Sequence, residues 1–268
     1  MYKLFCNSSL IQVSSENIEI QNHEMKTSII TVSLNSEKSI ERTIKSVLDQ
    51  TAEGIEYIIK DGGSSDRTIA IAESYLSAFK RKGYELKIIS EPDTGIYDAM
   101  NQGIDRAGGD IIGIINSDDW YEKEAVSCME KLFRDTGCDL AFANIRMHMR
   151  NGSSFIKKAR VRPYTTSRDW NHPTQFVKRE VYDKFRYRCR DISDDMDFYF
   201  RVKKAGYKVV AVDRVLANFQ MGGVSNRIPL HEVLPRIKRR YRIYRENGYS
   251  PFYIFECVGF EVLKFLLV

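Results

Sequence analysis

The chain predicts an α/β fold: a mostly parallel central sheet with helices on both faces, a mixed second half and a C-terminal helical tail. Three observations lead there. Short β-branched apolar runs alternate with longer stretches whose apolar residues recur every three or four positions. The runs are apolar almost throughout rather than at every second residue, as strands covered on both faces must be. Turn-forming Asp, Gly, Ser and Asn gather where several of the runs end.

Residues 1–26 show no period and read as an N-terminal extension. Ser28-Ile29-Ile30-Thr31-Val32-Ser33 is the first strand, and Ile40, Ile44, Val47 and Leu48 mark one face of the helix after it. Residues 55–59 form a second strand, and residues 65–79 a second helix with Ile69, Ala72 and Leu76 on its apolar side. A third strand (86–89), a third helix (96–107) and a fourth strand (110–115) follow. Strands joined by helices of ten or more residues are βαβ crossovers, hence parallel pairs. After Trp120 the pattern mixes: a helix over about 123–134, a strand at 140–145, and an irregular basic segment with Lys157, Lys158, Arg160 and Arg162 running to Pro163. A helix over roughly 195–205 and a strand at 207–212 complete it. The division is an extension (1–26), one main domain (27–225) and a basic, then amphipathic, helical segment (226–268).

Composition narrows the function classes. With 268 residues, 43% hydrophobic and 29% charged, the chain can bury a sizeable core, and disorder is excluded. A net charge of +5 is too small to imply a nucleic-acid partner. The cysteines (Cys6, Cys128, Cys138, Cys189, Cys257) are odd in number and never at C-x-x-C spacing, which argues against a disulfide framework or a zinc site and for a reducing, cytoplasmic setting. The N-terminus lacks the apolar core of a signal peptide, and no uncharged run reaches the roughly 20 residues of a membrane span. Residues 252–268 are mostly apolar but broken by Glu256, Glu261 and Lys264; before them lie Arg236, Lys238, Arg239, Arg240, Arg242 and Arg245. Two readings stay open for this tail: peripheral attachment to an anionic membrane, on the inner face of the plasma membrane, or packing on the domain.

In open parallel sheets, ligands bind beyond the carboxyl ends of the strands. Those ends read Asp61-Gly62-Gly63-Ser64-Ser65-Asp66, Ser90-Glu91-Pro92-Asp93-Thr94-Gly95 and Asn116-Ser117-Asp118-Asp119. A single Asp there is usually a cap or turn residue, as is expected of Asp66. Three such ends in a row crowd carboxylates together, which favours a cation or a hydrogen-bonding ligand between them. No G-x-G-x-x-G follows the first strand, where the chain reads Ser33-Leu34-Asn35-Ser36-Glu37, and there is no P-loop. The remaining way to hold a pyrophosphate is a divalent metal, Mg2+ or Mn2+, on Asp118 and Asp119.

The runs Ile30-Thr31-Val32-Ser33-Leu34-Asn35 and Asp61-Gly62-Gly63-Ser64-Ser65-Asp66-Arg67-Thr68 and, above all, Glu91-Pro92-Asp93-Thr94-Gly95-Ile96-Tyr97-Asp98-Ala99-Met100-Asn101 with Asn116-Ser117-Asp118-Asp119-Trp120-Tyr121 resemble the family 2 glycosyltransferases, in the branch associated with bacterial capsule, exopolysaccharide and O-antigen assembly. The resemblance implies a Rossmann-like GT-A fold and inverting, metal-assisted, non-processive transfer from a nucleotide-sugar donor, commonly a UDP-sugar, to a saccharide or lipid-linked acceptor. It places Asp61 against the nucleotide base and Ser33, Asn35 and Asp93 around the donor. Asn116-Ser117-Asp118 falls on the family's D-x-D motif with an amide in first place, so metal binding rests on Asp118 and Asp119. Asp195 matches the catalytic base, with Asp194 sharing the role, and His172 lies in a segment that meets donor or acceptor sugar. Gly222-Gly223-Val224-Ser225 matches a family loop, but Gln220 and Met221 stand where relatives carry Arg and His, leaving a third metal ligand without a candidate. The other readings are an inactive GT-A-like assembly subunit and a sugar nucleotidyltransferase; the latter needs a glycine-rich basic loop after strand one, which is absent.

Overall fold

The structure is a computed structural model that describes residues 25–166, 168–221 and 230–267. In chain order its strands are β1 (Thr27–Ser33), β2 (Glu56–Asp61), β3 (Glu85–Ser90), β4 (Ile111–Asn116), β5 (Trp120–Tyr121), β6 (Leu140–His148), β7 (Ser154–Lys157), β8 (Phe176–Lys178) and β9 (Val209–Gln220). Its helices are α1 (Ile40–Leu48), α2 (Thr68–Glu73), α3 (Leu76–Lys82), α4 (Ile96–Arg106), α5 (Ala125–Thr136), α6 (Arg179–Lys184), α7 (Asp194–Lys204), α8 (Leu230–Glu246) and α9 (Tyr253–Leu267). One sheet runs β3-β2-β1-β4-β8-β6-β9-β5, with β7 on the side of β6. β1 to β4 are mutually parallel, whereas β8 runs antiparallel to β4 and β6 antiparallel to β8. The parallel first half and mixed second half are as the sequence predicts.

Strand side chains alternate between two cores. Ile30, Val32, Ile58, Ile112 and Ile114 pack with Met100 and Ile104 of α4 and with Phe198 and Phe200 of α7. Ile29, Tyr57, Ile59, Ile111 and Ile115 pack with α1, α3 and α5 through Ile44, Val47, Phe79 and Phe133. A layer on each face is what apolar-throughout strands require. Gly103 lets α4 settle on β1: a Cβ there would lie 2.6 Å from Ile30 Cγ2.

Three local expectations are corrected. The helix expected over 65–79 is two, α2 and α3, because the Ser74 hydroxyl caps the Ile71 carbonyl (2.6 Å) and the chain turns at Tyr75. Phe79 then stacks on Tyr57, and Leu76 is 46% exposed rather than buried. Part of the segment expected to be irregular forms β7, which pairs with an extended β6. β9 runs on to Gln220, past register shifts between Ala143 and Ile145 of β6.

Candidate active site

The carboxyl ends of β1, β2, β3 and β4 form one rim: Ser33 pairs with Asp61 and Asp61 with Ser90, while Val32 pairs with Asn116. Along this rim the polar residues divide into two kinds. Asp61 is fully buried and accepts five hydrogen bonds, from Ser33 Oγ (3.1 Å), Ser64 Oγ (2.5 Å), Ser64 N (2.7 Å), Gly63 N (2.9 Å) and Ser90 Oγ (3.0 Å). Burial acts to raise its pKa, but these donors outweigh it and hold the carboxyl below its ordinary value. Asn35 takes a left-handed backbone, which Asn tolerates, and joins the same frame: its N–H donates to Ser64 Oγ (2.7 Å) and its Oδ1 accepts from Ser65 N (2.9 Å). Asp93 accepts from Lys60 Nζ (3.1 Å) and Gly95 N (3.0 Å); its Oδ2 lies where a Cβ on Gly62 would be, 2.7 Å away.

The end of β4 is different. Asn116 Oδ1 and Asp119 Oδ2 are buried without a hydrogen-bond partner among the described residues. Asp119 is fully buried; its Oδ1 accepts from Gln220 N (3.0 Å) and its carbonyl from Thr43 Oγ1 (2.6 Å). Burial, and then the neighbouring Asp118, push its carboxyl well above the ordinary range, and burial also raises Asp118. Ser117 Oγ meets Ser36 Oγ at 2.8 Å, joining this loop to the start of α1. Arg42 of α1 donates to the Asp118 carbonyl (2.9 Å), with its guanidinium 3.5 Å above the Trp120 ring, and its charge favours both carboxylates. Arg42 is a functional candidate that the sequence reading missed, because a lone Arg on an amphipathic helix carries no local signal of a loop 76 residues away.

A second group forms at the start of α7. Asp194 is buried and accepts from Arg190 N (2.6 Å), and Asp197 is held by Arg201 Nε (2.8 Å) and Asn247 Nδ2 (3.1 Å). Asp195 is half-buried between them, and the charges of Arg240 and Lys157 favour its ionised form. Burial pushes its carboxyl up to about 6, against the Met196 N–H (2.7 Å) and the Tyr97 hydroxyl, which favour the charged form. Tyr97, at the start of α4, also donates to the Ile192 carbonyl (3.0 Å), and its ring lies 5.3 Å from that of Tyr187. Tyr187 in turn meets His172 Nε2 at 3.3 Å. Burial lowers His172 to about 4, so it is neutral at pH 7 and belongs to this aromatic cluster. Asp195 and His172 thus share one neighbourhood, which reaches the rim through the loop before α4. A cavity of about 660 Å3 adjoins this group: its lining includes Arg190, Arg201 and Asn247, which hold Asp194 and Asp197, although none of the sequence-predicted site residues lines it.

The glycosyl transferase family 2 profile matches residues 28–196, from β1 into α7, which takes in both groups. The chain belongs to that family. An uncharacterised glycosyltransferase of Mycobacterium tuberculosis is 46% identical over 95 residues (35% of this chain, 34% of that protein). The EpsH glycosyltransferase of Bacillus subtilis is 34% identical over 119 residues (44% of this chain, 33% of that protein). The matched part of the chain therefore spans about a third of the length of these relatives. A glycosyltransferase of PGL/p-HBAD biosynthesis in Mycobacterium bovis is 28% identical over 228 residues, with 81% of this chain and 85% of that protein covered. Among solved structures, S. aureus TarS in complex with UDP-GlcNAc superposes with a TM-score of 0.65 at 15% identity, over 90% of this chain and 72% of that one. The Pyrobaculum calidifontis mannosyltransferase in complex with GDP-Man and Mn2+ gives 0.63 at 13%, over 91% and 74%. These neighbours establish the GT-A fold. In this family 2 chain the loop Gly222-Gly223-Val224-Ser225 lies outside the described residues, as does Cys6.

Proposed function

We propose that this protein transfers a single sugar from a nucleotide-diphosphate sugar, with UDP as the leaving nucleotide, to a hydroxyl of a saccharide or lipid-linked saccharide. The transfer inverts the anomeric centre and serves bacterial surface-polysaccharide assembly at the cytoplasmic face of the membrane. One observation carries the reading: within the family-matched region, two carboxylate sites are met by fewer hydrogen-bond donors among the described residues than Asp61 is. Asp118 and Asp119 sit beside orphaned acceptor oxygens, and Asp195 is poised near pH 6. The nucleotide-sugar complexes of TarS and the mannosyltransferase support the donor class.

The β4 end suits a hard divalent cation, Mg2+ or Mn2+, because its spare ligands are carboxylate and amide oxygens. Among the described residues no three His, Cys, Asp or Glu side chains converge on one point. Asp118, backed by Asp119, would hold such a cation jointly with the donor's diphosphate, where it would supply positive charge to the leaving group. Arg42 adds a fixed positive charge at the same loop. Asp195 accepts the proton of the acceptor hydroxyl as its oxygen bonds to the anomeric carbon and the bond from that carbon to the diphosphate breaks. Inversion in one displacement needs no covalent nucleophile from the protein. Ser33, Asn35, Asp61 and Asp93 hold the loops that line the nucleoside.

Asn116 in the first D-x-D position and Gln220 beside Asp119 favour one other reading, a donor-binding subunit without turnover. Family membership supports the glycosyltransferase reading and leaves the nucleotidyltransferase reading without support. Incubation with nucleotide sugars, Mg2+ or Mn2+ and a panel of saccharide and lipid-linked saccharide acceptors, followed by identification of the released nucleotide, tests the proposal. UDP release, together with loss of metal-dependent heat stabilisation by UDP in Asp118→Ala, is the expected result. Heat stabilisation without release identifies the inactive subunit, and released pyrophosphate would mean sugar activation.

A further inference from the structure

The C-terminal tail both packs on the domain and presents an uncovered apolar face. On the inner side of α9, Cys257 is buried and the buried Glu261 is paired with Arg240 of α8 (2.9 Å), while Tyr253 stacks on Tyr244 at 4.4 Å. On the outer side Phe252 is 77% exposed, Phe255 73%, Val258 40% and Val262 42%. Their spacing of three, three and four residues keeps them on one stripe of the helix and its leading turn. No charged residue falls within that stripe, since Glu256 and Glu261 lie off it. Large exposed aromatics in such a row are unusual on a surface that meets only water.

The partner helix supplies the opposite chemistry. α8 carries six basic residues, Arg236, Lys238, Arg239, Arg240, Arg242 and Arg245, against Glu232 and Glu246. Lys238, Arg242 and Arg245 are exposed on one stripe with Leu234, which is 67% exposed. Arg242 also pairs with Asp191 (2.8 Å), and Arg245 donates to the Tyr249 carbonyl (2.7 Å). A helix of 15 residues is about 22 Å long at 1.5 Å per residue, short of the roughly 30 Å of a bilayer core. No helix among the described residues is long and apolar enough to cross a membrane. A helix of this length with one apolar stripe suits the plane of an interface. The hairpin is also bound to the helix of the candidate base: Arg240 reaches Met196 Sδ (3.4 Å) and Asn247 reaches Asp197 Oδ1 (3.1 Å).

We infer that the α8–α9 hairpin docks in the plane of an anionic phospholipid surface, with Phe252, Phe255, Val258 and Val262 in the headgroup boundary and α8 contributing attraction to the lipid charge. A second copy of the chain is the poorer occupant, because it would bring two basic helices together. The inference names the surface at which the transferase proposed above meets its acceptor and rests on that reading for its purpose. Binding itself is measured without donor or acceptor.

The test is co-sedimentation of the full chain with vesicles of phosphatidylglycerol and phosphatidylcholine, against phosphatidylcholine alone. The chain should pellet with the anionic vesicles, less so as salt rises. The double variant Phe252→Ser/Phe255→Ser should lose roughly tenfold or more in partitioning. Lys238→Gln/Arg245→Gln should lose affinity only for the anionic vesicles, and Phe255→Trp should be quenched by brominated lipid. Equal partitioning of wild type and the double Ser variant, or a wild type that stays in solution at low salt, overturns the inference. So does a dimer that the double Ser variant converts to monomer. Heat stabilisation by UDP is followed in the same variants: its absence alongside intact vesicle binding would sink the transferase reading and leave the docking surface standing.

Discussion

The β2 end and the β4 end of the sheet are made of the same residue types and treat them in opposite ways. At the β2 end Asp61 receives five donors, so its charge is met inside the protein. At the β4 end, two positions along the rim, Asn116 Oδ1 and Asp119 Oδ2 are buried with none among the described residues. Leaving a buried acceptor unmet costs about 1–3 kcal/mol. A fold that saturates one strand end and leaves another open has a frame and a socket. The start of α7 repeats the contrast within four residues: Asp194 and Asp197 are bound by Arg190, Arg201 and Asn247, while Asp195 is held near neutrality by burial.

The largest effect that sharpens this contrast falls on Asp195. Asp195→Asn should lower kcat by about 10^2- to 10^4-fold, the usual worth of a general base, with heat stabilisation by UDP unchanged. In the wild type kcat should rise with pH below about 6 and level off above it, because the carboxyl must be ionised to take a proton. The same raised pKa opposes folding. The unfolded acid ionises first, so stability falls as pH climbs from about 4 to about 6, and Asp195→Asn should be about 1 kcal/mol more stable at pH 8. A turnover rate within a few-fold of wild type would return Asp195 to the role of its neighbours.

Asp61→Ala should break the frame itself. It strands the Gly63 and Ser64 N–H groups, and the loss expected is about 2–4 kcal/mol in urea unfolding. Because the Asp61 pKa is lowered in the folded chain, its contribution is complete at neutral pH and is lost as pH falls below about 4 and through the folded value. Asp61→Asn should therefore flatten the acid limb of the stability curve. An Asp61→Ala variant as stable as wild type, with UDP affinity alone reduced, would move Asp61 from frame to ligand contact.

The frame was far more legible in the sequence than the socket's workings. Runs such as Ile29-Ile30 and Ile114-Ile115 declare strands locally, and the Asp, Gly and Ser that follow declare the rim. The Asn116–Asp119 turn and the Asp194-Asp195-Met196-Asp197 run pointed to the two groups. What stayed hidden depends on contacts across the chain. The stacking of Phe79 on Tyr57 joins residues far apart in the chain, and the reach of Arg42 to the Asp118 loop spans 76 positions. Nor does the order of residues say which of Asp194, Asp195 and Asp197 are held by Arg190, Arg201 and Asn247, brought in from elsewhere.

The smallest expected effect is the most discriminating for the socket. Burial pushes the Asp119 carboxyl well above the ordinary range when no cation is near, which favours its protonated form, and a protonated acid and an amide have nearly the same size. Asp119→Asn should then change stability by less than about 1 kcal/mol at pH 5, in contrast to Asp61→Ala. As pH rises, the unfolded wild type sheds a proton that the folded acid retains, so its Tm should drift down while that of Asp119→Asn stays flat. Adding Mg2+ with UDP should reverse the drift in the wild type alone, because a cation at Asp118 favours the ionised form of its neighbour. If both proteins follow the same pH curve and gain equally from Mg2+ and UDP, the orphaned oxygen of Asp119 is not part of a cation site, and the contrast between the two strand ends is one of packing only.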